Sequence, residues 1–218
     1  MALNIAKVAN WLHQVDKARA VVGWWPAQFA TDDERLAYKV QDAFLKKQVV
    51  KQGPLVGYKI ALTSPQILAQ TGLKGPAYGP IRKKRVFEHK ATVRADRGAD
   101  YSRLAVNPLI MDAGWNGGSL LARPNKDWSK LDLGNLEGSI SFDGKVVREG
   151  HSGDVLGHCY NALAWLANKL GGHGKTLKKG MIVSSGSMVA CQFVPPGSTA
   201  TGRIEGLGEV TLKYELPR

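Results

Sequence analysis

Helical and strand-like periodicities occupy different parts of this 218-residue chain, and this separation limits the folds that it can form. Within residues 1–54, apolar residues recur at helical spacing, at Ile5, Val8, Ala9, Leu12, Val15, Leu36, Val40, Ala43 and Phe44. From Leu55 onward, short alternating segments predominate. Helices that precede strands in this way favour an α+β fold over a doubly wound sheet. We predict an N-terminal helical region over residues 1–54 and a β-rich core, a single compact unit, over residues 55–218.

Short motifs mark where the predicted elements begin, turn and end. Thr31 and Glu34 have the spacing of a capping box, and the glycine and proline at 53–54 should stop the helix that follows it. The serine and proline at 64–65 predict the start of a short third helix. An Asp-Gly pair at 143–144, between apolar segments, predicts a β-hairpin.

Composition bears on the compartment in which the protein works. No apolar run approaches the roughly 20 residues that span a bilayer, and the N-terminus lacks the basic-then-apolar pattern of a signal peptide. Cys159 and Cys191 are the only cysteines, which is too few for a disulfide framework. We interpret both as small buried apolar residues. We therefore expect a cytoplasmic protein that does not bind membranes.

The net charge of +12 raises the question of nucleic-acid binding. The densest basic run is 82–85, within a segment, 74–103, that has little periodicity. We find no recognition motif, and most aromatic residues follow the apolar periodicity instead of alternating with basic residues. A solvated basic loop that attracts anionic substrates is the favoured interpretation. Nucleic-acid binding stays as an unfavoured alternative.

Lys59 is the residue whose position most suggests chemistry. It interrupts an apolar strand in which Val56, Tyr58, Ile60 and Leu62 face one way, so Lys59 faces the other way between small neighbours. Burying a lysine is costly unless it meets an anion. It could bind a substrate carboxylate or act as an acid or base at a shifted pKa. The alternative, a side chain that extends from an edge strand to water, is equally compatible with the periodicity.

A polar turn after the short apolar strand 181–183 is the second candidate. In this turn, Ser185, Gly186 and Ser187 could offer main-chain N–H groups to a substrate oxygen, since glycine permits close approach. An ordinary turn at the end of a strand is the alternative.

Several segments, taken together and in order, resemble one enzyme family. They are residues 37–42, 56–65, 76–80, 156–168, 174–180, 185–187, 196–197 and 205–210. This set resembles the 2-keto-4-pentenoate hydratase and 4-oxalocrotonate decarboxylase branch of the fumarylacetoacetate hydrolase superfamily. The resemblance extends over about residues 31–82 and 105–214.

This resemblance implies a fold, a substrate class and a site. The fold has N-terminal helices and a mixed β-roll core. The substrate implied is a small unsaturated 2-oxo or 2-hydroxy-dienoic acid of aromatic catabolism. The resemblance also implies that Mg2+ or Mn2+ holds this acid in the active site. The resemblance places Lys59 and Asp112 in the site as catalytic residues, and Ser185, Gly186 and Ser187 as substrate-binding residues.

The chain departs from this family at the metal ligands. Members carry a Glu-x-Glu pair and a later acidic residue, but residues 82–112 contain no such pair and are shortened. Divalent hard cations prefer several carboxylate oxygens. We therefore expect no bound metal or other cofactor, and a cationic pocket that binds an anionic substrate without metal.

These observations lead to one favoured hypothesis and two alternatives. The favoured one is a hydratase- or decarboxylase-like lyase that acts on a small 2-oxo acid. The first alternative is a catalytically degenerate partner subunit of a hydratase and decarboxylase complex, and the second is the basic nucleic-acid binder. Because relatives are oligomers and Trp24, Trp25 and Trp115 lie in segments that contain glycine or proline, we also expect a homo-oligomer with exposed tryptophans.

Overall fold

The computed structural model describes residues 3–20, 25–71, 75–94 and 105–215. Its α-helices are α1 (Ile5–Ala18), α2 (Glu34–Gln52), α3 (Pro65–Thr71), α4 (Val106–Met111) and α5 (Cys159–Gly171). Its strands are β1 (Leu55–Ala61), β2 (Ala77–Arg82), β3 (Val86–Glu88), β4 (Ala91–Arg94), β5 (Ser119–Leu121), β6 (Glu137–Phe142), β7 (Lys145–His151), β8 (Ile182–Ser184), β9 (Thr199–Ile204) and β10 (Gly208–Glu215).

The described strands form three sheets. The two long helices α1 and α2 precede every strand in the chain. One sheet has the order β2-β1-β8, the largest has the order β4-β10-β9-β6-β7, and β3 pairs with β5. Parallel and antiparallel pairs occur together, because β1 runs antiparallel to β2 and parallel to β8. The prediction of an α+β fold with N-terminal helices and a mixed β core is confirmed. The division of the chain at residue 54 stays a prediction.

The N-terminal helices begin at side-chain caps. Asn4 accepts a hydrogen bond from the N–H of Lys7 and caps α1. The cap of α2 is Asp33, not Thr31, so the predicted capping box is wrong in detail. The Asp33 carboxylate accepts from two main-chain N–H groups of the first turn, and the Thr31 hydroxyl accepts from Asp33 itself. A carboxylate at this position also complements the positive end of the helix dipole.

The core joins α1, α2 and α5 to β1, β2 and α4 through one cluster of buried apolar side chains. Gln41 is buried within it and donates to the carbonyls of Tyr78 and Ile110, which fixes α2 against β2 and α4. Trp25 and Trp115 are half-buried and pack against this cluster, so the prediction that they are exposed is wrong. Trp24 lies outside the described residues.

The basic run at 82–85 serves the fold. Arg82 is buried at the end of β2 and donates to the carbonyl of Leu45, and Lys84 donates to the carbonyl of Val50. The Val50 carbonyl lies in the last turn of α2, where a cation meets the negative end of the helix dipole, whereas the Leu45 carbonyl lies about two turns earlier. Residues 83–85 form a single turn between β2 and β3 in which Lys83 and Lys84 are exposed, so the prediction of a solvated loop is wrong for the buried Arg82 and agrees with these two lysines. In the described residues, no helix is long and apolar enough to cross a membrane.

Candidate active site

Lys59 lies on the central strand of the three-stranded sheet. Its register partners are Gly79 on β2 and Ser184 on β8, so neither neighbouring strand presents a large side chain beside it. Tyr58 and Ile60 are buried in the core, as the strand pattern predicts. Lys59 itself is partly exposed, and its side chain contributes to the wall of a cavity.

Two glycines, Gly79 and Gly114, approach each other closely beside this cavity. A Cβ on Gly79 would overlap the carbonyl oxygen of Ala113, and the main chain of Gly114 lies directly beside it. Gly114 has φ 63°, a conformation that favours glycine, in the turn that follows α4. The two glycines let this turn lie against β2, and Trp115 and Asn116 then reach the cavity.

The cavity has a volume of about 520 Å³ and mostly apolar walls. It brings Lys59, Gly186 and Ser187 together, as proposed from the sequence, whereas Ser185 and Asp112 do not contribute to its wall. The other lining residues are Ile60, Ala61, Leu62, Ile67, Ile81, Leu109, Gly114, Trp115, Asn116, Gly118, Ser119, Leu120, Leu121, Ile182, Val183, Ser184 and Cys191. The described lining thus contains a single lysine and no carboxylate.

The turn after β8 is held in place by Thr63. Gly186 has φ 144°, and a Cβ there would overlap the Thr63 side chain. The Thr63 hydroxyl accepts a hydrogen bond from the N–H of Ser187 at 3.2 Å, and the Ser187 hydroxyl donates to the carbonyl of Val189 at 2.5 Å. Both polar groups of Ser187 are therefore used within the protein. Of the two residues of this turn that line the cavity, Gly186 is the one whose N–H could serve a substrate oxygen.

Burial dominates the electrostatics of Lys59. It lowers the pKa of the Lys59 ammonium below its usual range, and the Cys191 thiol partly opposes this shift. Burial also raises the pKa of the Cys191 thiol, which the lysine partly offsets. Lys59 makes no hydrogen bond or ion pair within residues 3–20, 25–71, 75–94 and 105–215. A nearby anion would raise this pKa again, because an opposite charge favours the ammonium form.

Asp112 lies next to the cavity wall instead of on it. It is buried at the end of α4, where its N–H donates to the carbonyl of Pro108 and its carbonyl accepts from the N–H of Trp115. These bonds shape the turn that carries Gly114 and Asn116. A role for Asp112 in the chemistry stays a prediction.

Two cavity residues were not anticipated from the sequence. Cys191 was interpreted as a small apolar core residue, but it lies on the cavity wall near Lys59. Asn116 donates from its side-chain amide to the carbonyl of Pro80 at 2.7 Å, and it too lines the cavity. The glycines that follow Asn116 were the available signal, because Gly-rich turns permit close approach of main chain to a ligand.

Comparison with known proteins identifies the relatives of this chain. No family profile matches it. It is 25% identical over 258 residues to 2-keto-4-pentenoate hydratase of Paraburkholderia phymatum, with 97% of each chain covered. It is 23% identical over 223 residues to 4-oxalocrotonate decarboxylase of Pseudomonas putida, covering 82% of this chain and 84% of the relative. The chain is thus similar, over most of its length, to proteins named as 2-oxo acid hydratases and decarboxylases.

The fold agrees with that of a solved 4-oxalocrotonate decarboxylase. Over 96% of both chains, the structure superimposes with a TM-score of 0.86 on 4-oxalocrotonate decarboxylase from Pseudomonas putida G7 in complex with calcium and acetate, at 20% identity. The predicted resemblance and the predicted relationship to lyases are confirmed, because the relatives are named as hydratases and decarboxylases. The alternatives, a degenerate partner subunit and a nucleic-acid binder, gain no support from these comparisons.

The expectation of a site without metal is wrong for the proteins to which this chain is similar. The same decarboxylase was also solved with magnesium and adipate, and fumarylpyruvate hydrolase from Pseudomonas aeruginosa, at a TM-score of 0.56, with Mn2+ and pyruvate. The sequence argument counted carboxylates alone, whereas these cations also accept carbonyl oxygens, waters and ligand oxygens. A missing Glu-x-Glu pair is therefore insufficient to exclude a cation.

The described residues do not by themselves fit such an ion. No group of three or more His, Cys, Asp or Glu side chains is placed to hold a metal in residues 3–20, 25–71, 75–94 and 105–215. The acidic residues Asp96 and Asp100 lie outside the described residues.

Proposed function

We propose that this protein is a hydratase- or decarboxylase-type lyase that acts on a small unsaturated 2-oxo acid, or its 2-hydroxy-dienoic form, in the Lys59 cavity. One observation carries the proposal: the described wall of this apolar cavity holds a single lysine and no carboxylate. An anionic substrate would supply the counter-charge that Lys59 lacks. The names of the relatives support a lyase, since hydratases and decarboxylases are lyases.

The 2-oxo acid group matches the polar groups of the cavity. Its carboxylate and carbonyl oxygens are acceptors, Lys59 is a donor on the cavity wall, and Gly186, whose N–H would be a second donor, lies on the same wall. A cavity of about 520 Å³ falls within the range of small-molecule sites. The apolar residues around these donors would cover the hydrocarbon end of the substrate and exclude water from it.

Substrate binding and the protonation of Lys59 should be coupled. In the empty cavity, burial lowers the pKa of Lys59 and so shifts its equilibrium toward the neutral amine. A bound carboxylate favours the ammonium instead, so binding should draw a proton to Nζ. The nitrogen then holds a proton next to the reacting end of the substrate, and the enzyme gains a group that changes protonation during the reaction.

Substitution of Lys59 by Met tests this proposal. Met retains most of the length of the stem and removes the nitrogen, so we expect turnover of 2-keto-4-pentenoate, or release of CO2 from 4-oxalocrotonate, to fall about 100-fold or more. The assays should contain Mg2+, so that an absent ion cannot explain an inactive wild type. Lys213→Met is the matched control, because Lys213 is an exposed lysine on strand β10.

The possible results separate clearly. Loss of turnover in Lys59→Met, with full turnover in Lys213→Met, supports the assignment. Equal kcat/KM in Lys59→Met and wild type would show that the reaction takes place elsewhere. Wild type without turnover of any small 2-oxo acid would overturn the proposed function itself.

A further inference from the structure

A second cavity lies on one face of the five-stranded sheet. It has a volume of about 350 Å³, and its wall is formed by strands β6, β9 and β10 and by the segment 186–189. We call it the sheet cavity. It shares Leu120, Gly186 and Ser187 with the wall of the Lys59 cavity. The two cavities therefore adjoin at the turn that follows β8.

The floor of the sheet cavity follows from the register of three strands. Gly202 on β9 pairs with Ile140 on β6 and with Val210 on β10. Because side chains in register lie on the same face of a sheet, the glycine leaves a depression between two aliphatic neighbours. A Cβ at Gly202 would meet the Val210 side chain at 3.8 Å, an ordinary contact distance. Position 202 therefore has room for a side chain, or for part of a ligand.

Apolar side chains close the rest of the sheet cavity. Met188 covers Gly138, since a Cβ on this glycine would lie 2.7 Å from the Met188 methyl group. Val189 is buried beside it. Ile204 and Leu207 line the cavity as well. Such a wall favours hydrocarbon over charged groups, because charges lose their hydration there without gaining a partner.

The charged residues of these strands serve the opposite face of the sheet. Arg203 and Glu209 contribute to the wall, but strand alternation directs their side chains away from the face that carries Gly202. Arg203 also lines a separate cavity, whose acidic residues are Glu137, Glu149, Asp154 and Glu205. Its positive charge therefore lies among carboxylates and is poorly placed to hold the far end of a ligand in the sheet cavity.

We propose that the sheet cavity binds the apolar tail of a substrate whose 2-oxo acid group lies in the Lys59 cavity. The substrate would be a monocarboxylic 2-oxo acid with a hydrocarbon tail longer than that of 2-keto-4-pentenoate, and not a dicarboxylic acid. The inference rests on the function proposed above, which places the acid group beside Lys59. Each cavity has the size of a small-molecule site, so the two together offer more space than a short acid fills.

Binding of saturated 2-oxo acids tests this inference without requiring turnover. Isothermal titration calorimetry, with Mg2+ present, gives the Kd of 2-oxopentanoate, 2-oxodecanoate and the diacid 2-oxodecanedioate. Each buried CH2 group is worth up to about 4-fold in affinity. We expect 2-oxodecanoate to bind wild type at least about 10-fold more tightly than 2-oxopentanoate does. The diacid should bind at least about 10-fold more weakly than 2-oxodecanoate, because its second carboxylate would enter an apolar wall.

Substitutions of Gly202 locate the tail. Gly202→Phe fills the depression, so it should abolish most of the preference for 2-oxodecanoate and leave the Kd of 2-oxopentanoate within about 2-fold of wild type. Gly171→Phe is the matched control, because the same change at this exposed end of α5 should alter neither Kd. Gly202→Ala adds one methyl group at an ordinary contact distance and should reduce the preference about 2- to 4-fold. This smaller change keeps the test valid if the phenyl ring disturbs the sheet.

The outcomes distinguish this inference from the proposed function. Equal Kd values for 2-oxopentanoate and 2-oxodecanoate in wild type would overturn it, as would a preference that both Gly202 variants retain. Tighter binding of the diacid than of 2-oxodecanoate would also overturn it, and Arg203→Gln would show whether Arg203 holds the second carboxylate. Turnover of 2-keto-4-pentenoate without any effect of chain length would refute the tail site and leave the proposed function in place. A chain-length preference without turnover of any 2-oxo acid would support the tail site and overturn the lyase.

Discussion

Replacing Lys59 by Met should make the protein more stable while it removes activity. Folding places the Lys59 amine in a mostly apolar wall with no partner in the described chain. Met has nearly the same length and no polar group, so it can occupy the same space without a desolvation penalty. A site residue that is retained at a cost in stability is a common compromise between stability and activity.

The magnitude follows from the surroundings of the amine. A buried polar group without a partner costs about 1–3 kcal/mol, and more when it is charged. Lys59 is partly exposed to a cavity that can admit water, so the low end of this range, about 1 kcal/mol, applies. For a chain of this length, we expect a rise in Tm of about 2–4 °C.

The pH dependence of the stability gained by Lys59→Met is a sharper test than the magnitude of that gain. Folding lowers the pKa of Lys59 from its ordinary value of 10.5, so the unfolded chain binds this proton more tightly than the folded one. Between the folded pKa and 10.5, the stability of the wild type therefore rises with pH. The advantage of Lys59→Met should be largest near neutral pH and shrink toward pH 10.5.

Thermal and urea unfolding of wild type, Lys59→Met and Lys213→Met at several pH values would measure these differences. Lys213→Met should leave the free energy of unfolding within about 0.5 kcal/mol of wild type at each pH, since the residue is exposed. A Lys59→Met variant that is less stable than wild type at neutral pH would refute the reasoning. It would mean that the ammonium has a stabilising partner.

Two further predictions concern the turn and the pH response of the fold. Gly186→Ala should lower the free energy of unfolding by about 1–3 kcal/mol through overlap with Thr63, whereas Gly171→Ala, at an open helix end, should be neutral or slightly stabilising in urea titrations. Burial and nearby lysines lower the pKa of His173 from 6.5, so wild type should lose stability as pH falls below this value. His173→Phe should lose less over the same range, and equal loss in both proteins would contradict this assignment.

The sequence determined the elements whose signals are local. Helical spacing gave α1 and α2, the Asp-Gly pair at 143–144 gave the β6–β7 hairpin, and the strand pattern around Lys59 gave β1. Each of these signals depends on residues within a few positions of one another. The order of short motifs likewise sufficed for the family. The cap of α2 was misassigned because Thr31 and Asp33 are both capping residue types, and only the fold decides which one caps.

The tertiary structure alone decided what surrounds Lys59. Its neighbours come from β8, from the turn after α4 and from Cys191, which are distant in the chain. Gly79 and Gly114 determine how closely that turn approaches β2, and no local pattern indicates which two glycines will meet. Among the described residues of the cavity wall, the lack of a carboxylate beside the lysine likewise results from this assembly of segments. A sequence shows that a lysine interrupts an apolar strand. Strand register and close packing decide whether that lysine meets an acid, water or an apolar cavity, because only folding brings those partners together.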